Sequence, residues 1–401
     1  MKSALIYFRN IKTDFDGDYL KNVVSAFSHG GLDFDTVEIL SDADDLGFKR
    51  RLTEFKDMFE NVVIIGGDAV KFNLKQIIAQ TFDTVLVENE TARNFLDAVI
   101  KANAIDYPDE FALLPIEANV IPNIYGGFQG FILDATDLTL SVLPEDYKEI
   151  KTMCDKYVLP YLESKLGVKK TRLTLKYFGD KAKIEKTLST IEKESETPFF
   201  WSVFEKHGDA TVDLLFDYET EEKAKKDIVR NLVLIHKDAL YAEYDVSLSQ
   251  RLFDLLELRG VKLSTAESFT AGRVVSEIIK NSGASKYVNE GVVSYSNDSK
   301  IKRLGVKEGD LNREGAVCAV VAYQMAVGLL KEGADIAIST TGIAGPKSDD
   351  TAKPVGLCYI AVGMKDGVHA YKYIFNGTRE EITETAKNTA LFLAIKKLKN
   401  L

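Results

Sequence analysis

The sequence predicts an α/β protein in three parts: a three-layer, mostly parallel sheet domain over residues 1–168, a small α+β module over 169–246, and a second α/β domain over 247–401. Three observations predict it. In the first and last parts, strand-like β-branched runs alternate with amphipathic helical segments, the pattern of a parallel sheet with helices on its faces. The middle part offers a strand, a helix, a strand pair and a second helix. Near the C-terminus three polar motifs each follow or close a short buried run: Thr265-Ala-Glu-Ser-Phe-Thr-Ala-Gly272, Tyr295-Ser-Asn-Asp-Ser-Lys300 and Thr340-Thr-Gly-Ile-Ala-Gly-Pro346.

The elements follow in order. Ala4 to Phe8, Phe34 to Ile39 and Val62 to Ile65 read as strands, with Tyr19 to His29 and Gly47 to Phe59 as helices between them. Ile121 to Gly130 is a turn-rich loop, Phe131 to Leu133 a strand, and Leu143-Pro144 leads into a helix towards Leu166. In the middle part Thr171 to Tyr177 is a strand, Lys181 to Lys193 a helix, Phe199 to Phe204 and Thr211 to Phe216 a strand pair, and Glu221 to His236 a helix. It carries no glycine loop, and it lacks the GXXG clamp of the KH nucleic-acid modules that it loosely resembles. A structural spacer fits it best.

The last part opens with a helix from Ser247 to Arg259, stopped by Gly260. Val261 to Leu263, Val292 to Tyr295 and Ile336 to Thr340 read as strands, Ala316 to Leu330 as a helix, and Val355 to Val362 and His369 to Phe375 as further strands. Thr378 and Glu381 form a capping box for a closing helix that runs to Lys397.

Composition narrows the function classes. With 401 residues, 45% hydrophobic and 28% charged, the chain is ordinary globular protein and too long for one core. Its 51 basic and 61 acidic side chains give −10, so no global basic field recruits nucleic acid. Three scattered cysteines, Cys154, Cys318 and Cys358, make neither a disulfide framework nor a metal cluster. No signal-peptide core is seen, and no run approaches the roughly 18–20 apolar residues that span a bilayer. The expectation is a cytoplasmic protein with no membrane and no nucleic-acid partner.

Taken singly, Ser268 and Thr270 read as helix caps, Lys300 as a solvated charge, and Thr340 and Thr341 as a strand end. Together, at the carboxyl ends of three strands, they converge where open α/β sheets bind ligands. A nucleophilic serine needs a base, and the one histidine of this part, His369, lies away from the motifs. Lys300 with Tyr295 is the cluster able to activate Ser268, given burial that holds the amine neutral. The Gly342–Gly345 turn can offer backbone N–H groups to an oxyanion. The helix N-terminus after Thr270 can accept a phosphate. These are the parts for amide hydrolysis on a phosphorylated substrate.

On these motifs residues 248–401 resemble the C-terminal domain of the competence/damage-inducible protein A (CinA) family. The family pattern A-E-S-C-T-G-G stands as Ala266 to Gly272. G-V-x-x-Y-S-N-x-x-K stands as Gly291 to Lys300, and G-A-V-S as Gly315 to Cys318. T-G-I-A-G-P stands as Thr341 to Pro346, and K-P-V-G as Lys353 to Gly356. The resemblance implies a nicotinamide-nucleotide amidase that acts in pyridine nucleotide salvage without cofactor or metal. It converts nicotinamide mononucleotide to nicotinate mononucleotide and ammonia. It implies Ser268 as nucleophile, Lys300 and Tyr295 as its activators, and Thr341 as a supporting hydroxyl. Glu267, Thr270, Gly272, Thr340, Gly342 and Gly345 would line the substrate, and a homodimer or larger assembly is implied. The chain departs at Phe269 (for cysteine), Ala271 (for glycine), Cys318 (for serine) and Lys347-Ser-Asp-Asp350 (for a glycine-rich stretch). These positions are expected on the pocket wall, where they bear on substrate choice.

The N-terminal part resembles the family's molybdopterin-cofactor-type domain through Pro122 to Gly130, Leu143-Pro144, Glu149 and Met153. Members that cleave ADP-ribose carry an early G-D-E segment and a G-G-L-G-P-T-x-D-D loop. Here the loop is Ile65-Gly-Gly-Asp-Ala-Val-Lys-Phe-Asn73, and Asp16-Gly-Asp-Tyr19 only echoes the former. The divalent metal site is expected to be lost, Asp68 alone being a poor anchor. Two alternatives to the amidase remain: a nucleotide-binding scaffold or sensor without turnover, and an N-terminal ADP-ribose pyrophosphatase.

Overall fold

The computed structural model describes residues 2–9, 17–41, 45–68, 74–166, 170–347 and 353–399. They form two compact units, 1–172 and 173–401.

In the first unit the strands are β1 (Ser3–Arg9), β2 (Thr36–Ser41), β3 (Asn61–Ile65), β4 (Leu86–Glu88), β5 (Leu113–Pro115), β6 (Asn119–Ile121), β7 (Gly130–Asp134) and β8 (Thr139–Leu143). Six make one sheet in the order β2-β1-β3-β8-β7-β6. The β1–β2, β1–β3 and β3–β8 pairings are parallel, and β7 pairs antiparallel with β6 and β8. β3 is buried along its whole length, as a central parallel strand covered on both faces must be. Helices α1 (Gly17–His29), α2 (Asp45–Met58), α3 (Leu74–Thr81), α4 (Glu90–Asn103), α5 (Tyr147–Met153) and α6 (Leu159–Leu166) complete the unit. One face packs Phe48, Leu52, Phe55 and Ile78 on Ile6, Val62 and Ile64, and the other packs Val23, Phe27, Ile150 and Val158 on Leu5, Val63 and Ile65. The sequence expectation did not include α3, α4 and the short strands. The expected helix to Leu166 is interrupted by a π-helical turn at Cys154–Val158, and β8 precedes it.

The second unit holds two sheets. Strands β9 (Lys170–Phe178), β10 (Phe200–Lys206), β11 (Asp209–Asp217) and β12 (Leu240–Ala242) lie in the order β10-β11-β9-β12. Helices α7 (Lys181–Glu194) and α8 (Glu222–Ile235) cover one face, packing Ile184, Leu188 and Leu232 on Leu175, Val212 and Leu214. The other sheet contains β13 (Leu263–Glu267), β14 (Val288–Val293), β15 (Ile336–Gly342), β16 (Leu357–Met364) and β17 (Gly367–Ile374), in the order β14-β13-β15-β16-β17. β13 pairs parallel with β14 and β15, whereas β16 and β17 are antiparallel. Phe178 stacks on Phe392 at 4.7 Å between centroids, and Lys399 Nζ donates to Leu240 O at 3.0 Å, tying the two sheets' layers together. The three-domain division read from the sequence stays a proposal.

Two helical layers sandwich the second sheet. α9 (Leu248–Arg259), α10 (Arg273–Ile279) and α14 (Arg379–Lys399) pack Leu252, Leu256, Ile278, Ala386 and Ala390 on Leu263, Ile336, Ile338 and Ile360. Opposite, α11 (Asn297–Leu304), α12 (Glu308–Glu314) and α13 (Ala319–Lys331) pack Leu304, Leu311, Val321 and Met325 on Ala266, Ala337 and Ala361. Two strand expectations move. β13 is the start of the first polar motif itself rather than Val261 to Leu263, and β14 ends before Tyr295. The polar residues of β13 can be buried because neighbouring donors and acceptors satisfy them.

Gly328 lets α13 touch the end of α11, for a Cβ there would lie 2.2 Å from Leu304 O. Gly328→Ala is expected to lower stability by about 1–3 kcal/mol in thermal melts, because added volume meets backbone rather than a movable side chain.

Candidate active site

β14, β13 and β15 are adjacent and parallel, so their carboxyl ends at Val293, Glu267 and Gly342 lie side by side on one edge. The three motifs come together there. Ser268 extends β13 by one residue, its N–H donating to Thr340 O at 3.0 Å. The chain then turns through Ala271 (φ +53°) and Gly272 (φ +90°) into α10. Ser268 is 9% exposed, and its hydroxyl faces Lys300.

Ser296 caps α11, its hydroxyl accepting from Ser299 N–H at 3.1 Å. That start turns Lys300 inward, where it is 1% exposed. Lys300 Nζ donates to Ser268 Oγ at 3.1 Å, Ser294 O at 2.8 Å and Tyr295 O at 3.0 Å. Burial lowers its pKa from 10.5 to about 8. Two carbonyls hold two N–H groups, so in the neutral amine the lone pair is left for the Ser268 hydroxyl. In the ammonium form the third N–H points at Ser268 Oγ. The geometry serves both protonation states.

Tyr295 enters differently from the expectation. Its ring is 70% exposed, and the contact it makes with Lys300 is through its carbonyl. The residue sits just before the α11 cap, where the backbone turns its oxygen inward. Thr340 and Thr341 point to opposite faces of β15, as successive strand residues must. Thr341 Oγ1 donates to Ala316 O at 2.8 Å and, with Lys353 Nζ on Val317 O at 2.8 Å, holds down the loop before α13. Thr340 Oγ1 faces Thr270 Oγ1 at 2.7 Å.

Glu267, Thr270 and Gly272 also need correction. All three had been expected on the substrate, with the α10 N-terminus as a phosphate seat. Glu267 is fully buried, and its carboxylate accepts from Gly272 N–H, Val274 N–H and Val275 N–H at 2.9, 3.1 and 2.9 Å. Arg273 N–H goes to Thr270 O. No amide of that first turn is left for a phosphate. Thr270 is buried with its hydroxyl on Glu267 at 2.7 Å.

At the glycine turn, a Cβ on Gly342 would lie 2.6 Å from Cys358 Cβ and 3.0 Å from Phe269 Cε1, so only glycine fits. Ile343 N–H is committed to Leu357 O at 2.9 Å, which removes it from any oxyanion hole. Gly345 has φ +85°, and its carbonyl accepts from Arg379 Nη1 at 2.7 Å. Of the departures, Phe269 is 4% exposed and belongs to the core with Leu263 and Ile338, so it is not a pocket wall. Cys318 is buried and precedes α13 without capping it, burial pushing its thiol up. Lys347 is exposed; residues 348–350 lie outside the described residues.

In the first unit the loop residues Ala69 to Asn73 and Asp16 also lie outside the described residues. Burial, with Glu145 and Asp146 nearby, pushes the Asp68 carboxyl up to about 6. Tyr7 donates to Glu145 at 2.8 Å beside it. Among the described residues no group of three His, Cys, Asp or Glu could hold a metal, and no helix is long and apolar enough to cross a membrane.

Sequence reasoning missed the carbonyls of Ser294 and Tyr295 on Lys300, and the capping role of Glu267. Backbone acceptors leave no residue signature, so the former had no signal. An acid five residues before Gly272 was the signal for the latter.

Comparison with known proteins places the chain in a family. A family model described as the CinA C-terminal domain matches residues 245–398. A protein of Caldicellulosiruptor saccharolyticus named as competence-damage inducible is 33% identical over 327 residues, covering 79% of each chain. One of the same name from Clostridium kluyveri is 31% identical over 395 residues, 95% of this chain and 94% of that one. Among solved structures, a competence/damage inducible protein of Agrobacterium tumefaciens is 37% identical, covering 38% of this chain and 93% of its own, with a TM-score of 0.36.

Ala271 occupies the left-handed region that favours glycine, and it is exposed. Ala271→Gly is expected to raise stability by about 1 kcal/mol in denaturant titrations, since the strain of a Cβ at positive φ outweighs the chain entropy glycine adds.

Proposed function

The chain belongs to the CinA family, and from that premise we propose that its C-terminal domain hydrolyses the carboxamide of nicotinamide mononucleotide to nicotinate mononucleotide and ammonia. The observation that carries the reading is the buried Lys300 amine 3.1 Å from Ser268 Oγ.

Ser268 Oγ attacks the carboxamide carbon while Lys300 Nζ takes its proton. The carbonyl electrons move to oxygen. Backbone N–H groups of the Gly342–Gly345 turn other than that of Ile343 are the candidates to receive it. When the tetrahedral species collapses, the C–N bond breaks and the Lys300 ammonium protonates the departing nitrogen, which leaves as ammonia. The ester on Ser268 is then attacked by water. Lys300 takes the water's proton and returns it to Ser268 Oγ as the acid leaves. One amide and one water become one carboxylic acid and one ammonia.

Three features support lysine as the base. Among the described residues no carboxylate pairs with Lys300, its pKa is lowered to about 8, and two carbonyls orient it. Thr341 acts by holding the 315–318 loop, and Tyr295 acts through its carbonyl. The first unit is read as having lost metal-dependent cleavage of ADP-ribose.

Purified protein is expected to release ammonia from nicotinamide mononucleotide without added metal. Ser268→Ala and Lys300→Ala should each lower kcat at least about 1,000-fold. Turnover that survives Ser268→Ala would refute the nucleophile assignment. Binding without turnover would favour the scaffold reading.

The pH dependence has a definite sign. The reacting enzyme needs Lys300 neutral, so kcat/KM should rise as pH approaches about 8 from below and level off above it. A profile flat from pH 6 to 9 would contradict lysine as base.

A further inference from the structure

Glu267 is a fully buried ionisable side chain that the reaction above leaves without a task, and it adjoins the nucleophile. Five donors meet its two oxygens. Oε1 accepts from Val275 N–H at 2.9 Å and Thr265 Oγ1 at 3.3 Å. Oε2 accepts from Thr270 Oγ1 at 2.7 Å, Gly272 N–H at 2.9 Å and Val274 N–H at 3.1 Å. Three of the five are backbone N–H groups, which can only donate, so both oxygens accept from the turn.

The same residue reaches all three motifs. Its side chain closes the 268–272 turn of the first. Thr270, by donating to Glu267, turns an oxygen lone pair to Thr340 of the third, 2.7 Å away. The Glu267 carbonyl accepts from Ser294 N–H at 2.9 Å, and Ser294 O in turn holds Lys300 Nζ.

We propose that Glu267 is a positioning residue whose carboxylate locks the 268–272 turn so that Ser268 Oγ stays in reach of Lys300 Nζ. The proposal rests on the amidase reading only for the reaction it serves. Glutamine has the same length, but its NH2 group would face N–H or O–H donors whichever way the amide is turned. At least one bond of the turn must open. A displacement of the nucleophile by about 1 Å costs on the order of 100-fold in rate.

The full-length protein is treated with a serine-reactive fluorophosphonate, and labelling of Ser268 is timed beside ammonia release and a melting curve. Glu267→Gln, folded at the assay temperature, should label about 100-fold more slowly. Its kcat should fall with KM little changed, and the activity limb near pH 8 should stay where it is, because Lys300 keeps its carbonyl partners. Thr270→Val and Thr340→Val each remove one link and should label about tenfold more slowly, which keeps the test open if the glutamine variant does not fold. A lowered melting temperature with labelling at the wild-type rate would make Glu267 merely structural and overturn the proposal. Wild-type protein that labels but releases no ammonia would remove the amidase reading while the labelling rates still decide the role of Glu267. Wild-type protein that does not label at Ser268 would remove both.

Discussion

The rest of the C-terminal domain depends on how a lysine amine is kept inside it. Lys300 is buried, and among the described residues no carboxylate meets its nitrogen, a condition that penalises the charged form. The fold offsets the penalty with two backbone carbonyls and one hydroxyl, a full set for an ammonium and a directing set for an amine. Placing those three oxygens around one nitrogen requires β13 to end at Glu267, α11 to be capped by Ser296, and the 294–295 backbone to turn between them. Gly328 bears on the same point from a distance, because it sets how closely α13 approaches the end of the helix that carries Lys300.

The polar burial in this sheet follows one logic. β15 sends Thr340 into the layer with α10 and Ser339 and Thr341 into the layer with α13, where each hydroxyl finds a fixed partner. Such a strand gains no hydrophobic transfer energy at these positions. It gains a fixed geometry at its carboxyl end, because each hydroxyl has one acceptor in reach. The cost of an unpaired buried hydroxyl, about 1–3 kcal/mol, penalises any rearrangement of the turn above it.

Much of this was legible in the sequence, and the reasons are particular. Ala4 to Phe8 and Val62 to Ile65 announce central parallel strands, and Thr378 with Glu381 forms the capping box that the sequence indicates. Ser268 and Lys300 could be paired because no histidine was available to the motifs. The strand limits at 261–267 and 288–295 were misplaced because polarity was read as the end of a strand, whereas Thr265 and Glu267 are buried strand residues with partners. The substrate-side reading of Glu267, Thr270 and Gly272 failed for a related reason. A helix N-terminus looks open in one dimension, and only the fold shows that an acid five residues earlier closes it. The carbonyls on Lys300 were beyond any residue-level reading, since every residue owns one.

The proposed chemistry depends on the protonation of Lys300 Nζ. A titration of the Lys300 side chain by NMR, with the amine assigned by its loss in Lys300→Ala, measures it directly. A midpoint near 8, produced by burial, is expected. A midpoint at the ordinary value of about 10.5 would mean that the amine is solvated and charged at working pH, and it would contradict the role given to Lys300.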